Sequence, residues 1–565
     1  PGGPDAPRPL AFALSARSAA SLRGQAERLR DHLLARPEER LADLAHSIAV
    51  TRTPMDHRAA LVAQDRDQLL AATAALAAGD PAPGLWTGRA RRGKLAFLFT
   101  GQGSQRPGMG AALARTFPVY AEALEEICSH ADPSLGRSLR DLMTAEPGTP
   151  EADALGGTEY AQPALFAFEV ALARLLASWG VRPDAVLGHS VGELAAAHIA
   201  GVLGLHDACA LVIARGRLMA KAPAGGAMAA IEASESEIAP SLAGHEDLVS
   251  LAAVNAPSSV VVSGDADTVA RIAGTWRERG RRTTGLKVSH AFHSPRLDGV
   301  LDEFRTVAES VTYAPPAVPL VSNVTGALAD PELLSTPDYW VRHMRGTVRF
   351  ADGIAALHGH GVATHLELGP DGVLSGMGQH CLPAGAEARF VPAQRADGEP
   401  VADVTTAVAR LYTTGRRPDW QAFHAGLAPR RVPLPTYAFT RDRYWLDAGL
   451  TTTAPHLGLP ASTGAPSASA ASGAAAPDGA RAAASPLGAD LAGLAPEARG
   501  ARALDLIRRH IAAVLGHADP EAVEPDAAFS DMGFTSLTAV ELRNSLVAAT
   551  GVELPASLVF DYPTP

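Results

Sequence analysis

The segment KLAFLFTGQGSQ, residues 94–105, joins a short apolar run to a turn punctuated by glycine. The apolar half has the pattern of a buried β-strand, and glycine marks the turn that follows. A second segment of this kind, AVLGHSVGE at residues 185–193, runs into the helical pattern LAAAHIAGVLGL at residues 194–205. Apolar runs and helical segments alternate up to about residue 390, which predicts an α/β fold with a parallel sheet. Such folds place their sites in loops at the carboxyl ends of strands.

Length and charge limit the possible functions. The chain has 565 residues, enough for about four domains of ordinary size. Lys and Arg number 49 against 60 Asp and Glu, so the net charge is −11 and generic nucleic-acid binding is not expected. Three widely separated cysteines suggest neither a disulfide framework nor a thiolate metal site, and they fit a reducing cytoplasm.

The sequence predicts no membrane span, secretion signal or metal site. Its longest apolar stretch, residues 163–180, carries Glu169 and Arg174, and residues 1–10 do not form a cleavable signal. No group of His, Cys and acidic residues has the spacing of metal ligands.

The flanking regions differ in character from the α/β region. Residues 17–48 have the spacing of an amphipathic helix. Residues 391–447 contain one helical pattern, 401–412, before a proline-marked extended tail that ends in Tyr444-Trp445. Between residues 451 and 487, all but six residues are Ala, Ser, Gly, Pro or Thr, which predicts a flexible tether.

Residues 501–565 form an acidic segment with two helical patterns, 501–515 and 537–547. Nine acidic residues against four arginines give this segment a net charge of −5, nearly half that of the chain. An acidic surface of this kind suits docking to arginine-rich partners.

Gly188-His189-Ser190-Val191-Gly192 matches G-x-S-x-G, in which glycines permit a sharp turn that exposes a serine nucleophile between a strand and a helix. The alternative is a non-catalytic serine that caps the N-terminus of the helix. A strand pattern before the motif and a helix pattern after it favour the nucleophile. A serine nucleophile also needs a base and donors for the oxyanion, and nineteen histidines are too many to choose from by inspection.

With further motifs taken together, the chain resembles the malonyl-CoA:acyl-carrier-protein transacylases, specifically the acyltransferase domains of modular type I polyketide synthases. These bacterial multifunctional enzymes are used in antibiotic biosynthesis. The motifs that carry the resemblance are Gly101-Gln102-Gly103-Ser104-Gln105, Gly188-His189-Ser190-Val191-Gly192-Glu193, Ala214-Arg215-Gly216-Arg217, His290-Ala291-Phe292-His293, Tyr339-Trp340-Val341-Arg342-His343 and Leu366-Glu367-Leu368-Gly369-Pro370.

The resemblance implies a role for each matching residue. Ser190 is the nucleophile and His293 its base, while the backbone amides of Gln102 and Val191 form the oxyanion hole. Arg215 binds the free carboxylate of malonate, which its planar guanidinium fits in two parallel hydrogen bonds.

Further residues of these motifs have supporting roles in the family. His189 and Phe292 contact the substrate, and the backbone around His343 orients the catalytic imidazole. Solvated or core packing roles are the alternatives for His293, Arg215 and Phe292.

The same resemblance favours malonyl as the acyl group. His290-Ala291-Phe292-His293 looks like the motif of malonyl-specific domains, since methylmalonyl-specific ones tend to carry Tyr and Ser at its first and third positions. Phe292 would fill the space that an α-methyl branch needs, and rejecting one methyl group is worth about 10- to 200-fold. Val191 and Tyr160-Ala161-Gln162-Pro163 agree with the malonyl form.

Residues 531–542, DMGFTSLTAVEL, resemble the attachment site of acyl carrier proteins, where a serine bears 4′-phosphopantetheine. The resemblance makes Ser536 that serine, with a helix N-cap as the alternative. Thr535 departs from the Asp that most carriers have there, and the segment stops before the last helix of such carriers. A phosphopantetheinyl transferase is the implied modifying partner.

The resulting domain hypothesis has five parts. They are a ketosynthase-to-acyltransferase linker (1–93), an acyltransferase (94–390), a post-acyltransferase linker (391–447), a flexible linker (448–500) and a truncated helical carrier (501–565). Within the acyltransferase, a ferredoxin-like subdomain at about 225–288 is expected to be inserted in an α/β-hydrolase-like subdomain with a parallel sheet. Malonyl-CoA, the chain's own carrier, and the ketosynthase and other domains of the same module are the expected partners.

Three alternatives remain open on the sequence. The first is the same mechanism with methylmalonyl-CoA or another acyl-CoA. The second is a G-x-S-x-G thioesterase or esterase, which needs an acid behind the histidine and no carboxylate anchor. The third is a non-catalytic scaffold that docks the ketosynthase and the carrier.

Overall fold

The computed structural model describes residues 8–286, 290–383, 385–440, 494–515, 519–529, 531–532, 534, 536–550, 552, 554–555 and 558–565. The chain divides into two compact units, residues 1–446 and 447–565, which are considered separately. The predicted tether at 451–487 and the pair Tyr444-Trp445 lie outside the described residues.

An antiparallel three-stranded sheet opens the first unit, in the order β1-β2-β3. Its elements are β1 (Leu10–Ala16), α1 (Ala19–Ala35), α2 (Leu41–Thr51), β2 (His57–Ala63), α3 (Arg66–Ala78) and β3 (Leu85–Arg89). The single helix predicted over residues 17–48 is wrong. Because Pro37 disfavours helical backbone at Arg36, α1 ends at Ala35, and a second helix begins at Leu41.

The rest of the first unit alternates strands and helices. In chain order its elements are β4 (Lys94–Phe99), α4 (Ala111–Thr116), α5 (Pro118–Leu135), α6 (Leu139–Thr144), α7 (Pro150–Leu155), α8 (Thr158–Ser178), β5 (Ala185–Gly188), α9 (Gly192–Ala200), α10 (Leu205–Ala220), β6 (Gly226–Ile231), α11 (Glu235–Leu242), β7 (Val249–Ala256), β8 (Ser259–Asp265), α12 (Ala266–Glu278), β9 (Thr283–Gly285), α13 (Leu301–Ser310), β10 (Leu320–Val321), α14 (Pro331–Leu334), α15 (Pro337–Arg345), α16 (Phe350–Gly359), β11 (Val362–Leu368), α17 (Val373–Gly378), β12 (Arg389–Pro392), α18 (Pro400–Thr414) and α19 (Trp420–His424).

Five of these strands form the central sheet, in the order β10-β5-β4-β11-β12, and all four pairings are parallel. Strands β4 and β5 are buried along nearly their whole length, as a sheet covered by helices on both faces requires. Their carboxyl ends lead into Thr100 and His189. The strand arrangement thus brings the glycine turn and the G-x-S-x-G motif to one edge of the sheet.

Helix α8 crosses the core beside this sheet. It is the one helix among the described residues that is long and apolar enough to span a membrane, and 83% of its apolar window is buried inside the protein. This burial is what a central core helix shows.

A smaller antiparallel sheet lies between α10 and α13 in the chain, with strand order β7-β8-β6-β9. Numbered within this insert, the order is 2-3-1-4, and helices α11 and α12 follow its first and third strands, which is the βαββαβ arrangement of ferredoxin-like folds. The predicted α/β-hydrolase-like and ferredoxin-like fold class is confirmed. Residues 287 and 288, the last of the predicted insert, lie outside the described residues.

The helix predicted after the serine motif is shorter than expected. Helix α9 ends at Ala200 because Gly201 takes a left-handed conformation (φ 87°) and its N–H caps the carbonyls of Ala197 and His198. Such glycine caps end many helices. The chain then restarts as α10 at Leu205.

The second unit contains α20 (Pro496–Leu515), α21 (Ser536–Thr550) and α22 (Leu558–Asp561). Its small core includes Ile511, Phe529, Leu542 and Leu546. Helix α20 begins at Pro496, within the residues assigned to the flexible linker, because Pro is well suited to the first turn of a helix.

Candidate active site

Ser190 stands on a strained turn between β5 and α9. Its φ is 53°, and only three non-glycine residues of the described chain have a positive φ. A side chain at Gly188 would meet the backbone of Gly192 and Glu193 at 2.1–2.3 Å, and one at Gly192 would meet the carbonyl oxygen of Phe99 at 2.3 Å. Both glycines of the motif are therefore required sterically, and the turn leaves the serine half-buried at the sheet edge.

His293 faces the serine from the loop after β9. Its Nε2 lies 2.8 Å from Ser190 Oγ. The histidine is also one of the three positive-φ residues, at 55°, and its carbonyl accepts a hydrogen bond from Ser250 Oγ at 2.5 Å. Two partners that both occupy costly backbone conformations mark a site where geometry matters more than local stability.

Among the described residues, no carboxylate accepts a hydrogen bond from His293 Nδ1. Its Nδ1 is buried without a hydrogen-bond partner in the described chain, and the Gly346 backbone is the neighbour that favours its protonated form. The acid that the esterase alternative needs is therefore missing from this position.

Arg215, on α10, lines the same cavity as Ser190 and is 1% exposed. Its Nη2 donates to Ser190 Oγ at 3.0 Å, and its Nη1 donates to Gln162 Oε1 at 2.8 Å. No described acidic side chain lies within ion-pair distance of this buried guanidinium. It is thus placed to receive an anion beside the nucleophile.

Burial sets the protonation of the site. Desolvation, then the charges of Arg215, His189 and Arg345, lowers the pKa of His293 to about 3, against the Gly346 backbone, which raises it. Desolvation lowers the pKa of Arg215 to about 9 although the Glu193 charge raises it. His293 is therefore a neutral base and Arg215 a cation at physiological pH.

The predicted oxyanion donors belong to two different turns. Gln102 is in the turn after β4, and Val191 is the N-cap residue of α9, where helix N–H groups lack partners. In the described part of the chain neither backbone amide donates to a protein acceptor. Both are available to an oxyanion, and their role stays a prediction.

His343, on α15, makes no hydrogen bond to His293 in the described structure. It is 2% exposed, and its Nε2 is 3.6 Å from Glu193 Oε2. The Ser190 backbone favours its protonated form, but desolvation, Arg215 and His293 hold its pKa well below the usual value. The orienting role expected for the backbone around His343 stays a prediction, and the backbone group found to act on His293 is that of Gly346.

A polar clamp that the motifs did not reveal holds the serine turn. Asn323, just after β10, accepts a hydrogen bond from Ser190 N at Oδ1 (2.7 Å) and donates from Nδ2 to the Gly188 carbonyl (2.6 Å). Its own N–H donates to Glu193 Oε2 at 2.7 Å, and Glu193 also accepts a hydrogen bond from Tyr339. A polar residue at the carboxyl end of a buried strand pattern was the available signal.

Replacing Asn323 by Ala is expected to lower kcat/KM for acylation of Ser190 about 10- to 100-fold. The Ser190 N–H and the Gly188 carbonyl at the strained turn lose their hydrogen bonds to Asn323, and the net contribution of each such bond is about 0.5–1.5 kcal/mol. Stopped-flow or quenched-flow acylation kinetics measure the effect. The exposed Thr325→Ala variant on the same loop is the control, and equal rates in the two variants would contradict the clamp.

One cavity of about 200 Å³ unites the predicted residues Gln102, His189, Ser190, Arg215, Phe292 and His293. His189 Nε2 lies 2.9 Å from Asn255 Oδ1 of the small subdomain, so both subdomains contribute to the walls. Met219, Met228, Val261 and Leu286 supply apolar lining. The cavity combines an apolar chamber with a few convergent polar groups, as substrate pockets do.

Ser536 belongs to the second unit, where it is the first residue of α21. Its role as the serine that bears phosphopantetheine stays a prediction. Within the described residues, no group of three or more His, Cys, Asp or Glu side chains is placed to hold a metal ion.

Three protein families match this chain. The acyl transferase domain family matches residues 96–418, the RhiE-like KS-MAT linker domain matches 13–80, and the phosphopantetheine attachment site matches 505–565. The last match establishes 4′-phosphopantetheine as the covalent cofactor of the carrier segment, and a coenzyme A thioester is the matching substrate type.

Curated relatives are large synthases. The chain is 51% identical over 464 residues to the spectinabilin polyketide synthase system protein NorB of Streptomyces orinoci, covering 81% of this chain and 21% of that protein. It is 47% identical over 450 residues to the phenolphthiocerol synthesis polyketide synthase type I Pks15/1 of Mycobacterium marinum, covering 79% and 21%. The chain thus spans about a fifth of the length of these relatives.

Solved structures agree. The acyltransferase domain from the second module of the salinomycin polyketide synthase is 47% identical with a TM-score of 0.63, over 76% of this chain and 99% of that one. The acyl transferase domain of ZmaA is 30% identical with a TM-score of 0.71, over 76% and 100%. The chain therefore belongs to the acyltransferase domains of modular polyketide synthases, with the linker to the ketosynthase before the domain and a phosphopantetheine attachment segment after it.

Proposed function

We propose that the acyltransferase loads a malonyl group from malonyl-CoA onto Ser190 and passes it to the phosphopantetheine thiol of Ser536. The observation that carries this proposal is the surroundings of the nucleophilic oxygen, Ser190 Oγ. A neutral base, His293, and a buried cation without an ion-pair partner, Arg215, both lie within 3.0 Å of it. The ketosynthase of the same module and a phosphopantetheinyl transferase are the further partners. A reducing cytoplasm remains the proposed location.

In the first half-reaction, Ser190 Oγ attacks the thioester carbonyl while its proton passes to His293 Nε2. The amides of Gln102 and Val191 stabilise the tetrahedral oxyanion. The Oγ–C bond forms, the C–S bond breaks, and His293 returns the proton to the departing coenzyme A thiolate. Arg215 holds the malonyl carboxylate throughout.

In the second half-reaction, His293 accepts the proton of an incoming thiol and the Ser190 ester is cleaved by the resulting sulfur nucleophile. When bound, phosphopantetheine supplies that thiol at the end of a long flexible arm. His293 then returns the proton to Ser190 Oγ, which restores the free enzyme. The buried, apolar walls limit access of water to the ester, which favours transfer over hydrolysis.

Phe292 supports malonyl over methylmalonyl as the acyl group. It is 7% exposed, lies next to His293 in the chain and lines the same cavity as Ser190 and Arg215. A rigid aromatic ring at this wall opposes an extra methyl group.

Intact mass spectrometry tests the function. The phosphopantetheinylated protein, incubated with equimolar malonyl-CoA and methylmalonyl-CoA, is expected to gain malonyl first on Ser190 and then on the Ser536 arm, as located by peptide mapping. Acyl transfer with no acylated Ser190 peptide would contradict the two-step route. Hydrolysis of malonyl-CoA with no carrier loading would favour a thioesterase.

In the same competition, Phe292→Ala is expected to raise the methylmalonyl to malonyl ratio on Ser190 by about 10- to 200-fold, the worth of one methyl group. The control is Phe439→Ala, since Phe439 is 72% exposed. An unchanged ratio in Phe292→Ala would assign Phe292 to packing alone.

A further inference from the structure

When no acyl group is bound, the guanidinium of Arg215 donates a hydrogen bond to the nucleophile, Ser190. Its Nη2 donates to Ser190 Oγ at 3.0 Å while the hydroxyl lies 2.8 Å from His293 Nε2. A serine oxygen has one proton and two lone pairs. With its proton directed to His293 and one lone pair accepting from a cation, the oxygen is a poorer nucleophile.

The same guanidinium weakens the base. Arg215 is the largest charge contribution that lowers the pKa of His293, with His189 and Arg345 adding to it and the Gly346 backbone opposing it. An imidazole beside a buried cation accepts a proton reluctantly, and although the Glu193 charge acts on this guanidinium, no described acidic side chain forms an ion pair with it. A carboxylate bound to Arg215 cancels that charge and raises the basicity of His293.

The contacts of Arg215 are exchangeable. Both Nη groups donate to neutral oxygens, Ser190 Oγ and Gln162 Oε1, and Nε has no partner in the described chain. Hydrogen bonds from a guanidinium to a carboxylate are about twice as strong as those to neutral acceptors, and they form in parallel pairs. A carboxylate that enters the cavity therefore displaces the neutral acceptors.

Gln162 connects Arg215 to Gln102, one of the two predicted oxyanion donors. Its Oε1 accepts from Arg215, and its Nε2 contacts Gln102 Oε1 at 3.4 Å. The Gln102 side chain in turn donates to Thr158 Oγ1 at 3.1 Å. Release of Gln162 from Arg215 thus affects Gln102, the residue whose backbone amide is proposed to stabilise the oxyanion.

From this arrangement we infer that Arg215 masks Ser190 in the empty enzyme, and that the carboxylate of the acyl group unmasks it. Selection for carboxylated acyl groups then acts on the reactivity of the nucleophile as well as on binding. The inference rests on the proposed function in that Arg215 is the carboxylate site. It adds that acyl-CoA substrates without a carboxylate meet a serine that is still held by the guanidinium.

A small neutral reagent separates masking from binding. Methanesulfonyl fluoride modifies serine by forming an Oγ–S bond and breaking the S–F bond, with the Ser190 proton passing to His293 as fluoride leaves. Acetate is expected to accelerate this modification in the unaltered protein by roughly tenfold, the factor that corresponds to one hydrogen bond of ordinary net strength. Chloride at matched ionic strength is the control.

Arg215→Met removes the mask while keeping most of the side-chain volume. Its Ser190 is expected to react with methanesulfonyl fluoride roughly tenfold faster than in the unaltered protein, without response to acetate. Arg217→Met, at an exposed position of the same helix, is the matched control and should keep the acetate response.

Two results would overturn masking. One is a modification rate that is flat or falls across the acetate titration, since simple occupancy of the pocket protects the serine. The other is an Arg215→Met rate no higher than that of the unaltered protein. Acylation by malonyl-CoA is followed separately by mass spectrometry, and its absence would refute the proposed function whatever acetate does.

Discussion

His293→Ala is expected to lower the rate of Ser190 acylation by malonyl-CoA by about 10²–10⁴-fold, the usual contribution of a positioned general base. The serine proton has no other described acceptor within hydrogen-bond distance than His293 Nε2 at 2.8 Å. Rapid-quench kinetics with intact mass detection measure the loss. Ser190→Ala should form no acyl-enzyme at all.

The exposed His358→Ala variant controls for general effects of losing an imidazole. Thermal unfolding of His293→Ala excludes collapse of the fold as the cause. Acylation that persists at the original rate in His293→Ala would refute its role as base.

The pH profile provides a second test of the same histidine. Because burial and neighbouring charges lower the pKa of His293 to about 3, the free enzyme keeps a neutral base at every pH well above that value. We expect His293 to cause no inflection in kcat/KM between about pH 5 and 8, since this parameter reports the free enzyme. Burial raises the pKa of Glu193 on the Asn323 clamp to about 7, so any inflection in that range is assigned with a Glu193→Gln variant. A fall centred near pH 6.5 that persists in Glu193→Gln would mean a solvent-exposed imidazole at His293.

The sequence predicts those parts of the site whose geometry depends only on residues that are neighbours in the chain. Gly188, Ser190 and Gly192 stand together because one turn needs two positions without a side chain and an exposed hydroxyl between them. The strand before and the helix after are also local patterns. The resemblance then supplied His293 and Arg215, which no spacing could have connected to Ser190.

Asn323 shows where such prediction ends. It lies 133 residues after Ser190, and its two hydrogen bonds to the serine turn exist because parallel pairing of β10 with β5 places their carboxyl ends side by side. A sequence pattern shows that both strands exist but not that they are neighbours. The same limit applies to Glu193 and Tyr339, which stand in the motifs but acquire a role only through the hydrogen bonds that link them to each other and to Asn323.

Strands β1 and β2 of the linker were not predicted, for a different reason. Strand β1 reads LAFALSA and β2 reads HRAALVA, and short runs rich in alanine fit a buried helix as well as a strand. Only their pairing in register, from Leu10 with Ala63 to Ala16 with His57, decides between the two.

Arg215→Ala is expected to reverse the preference for a carboxylated acyl group. Truncating one partner of a buried charged pair costs about 2–5 kcal/mol, so kcat/KM for malonyl-CoA should fall about 30- to 5,000-fold. Acetyl-CoA has no carboxylate to lose, and its rate should hold or rise because Ser190 Oγ is no longer bound by the guanidinium.

The split between the two substrates is what separates this prediction from a structural effect. A destabilised fold lowers both rates together, whereas a lost anion site lowers only the malonyl rate. Arg217→Ala, exposed on the same helix, is the matched control and should leave both unchanged. Equal losses for malonyl-CoA and acetyl-CoA in Arg215→Ala would show that Arg215 supports the pocket without reading the carboxylate, and the choice of acyl group would then rest on the walls around Phe292.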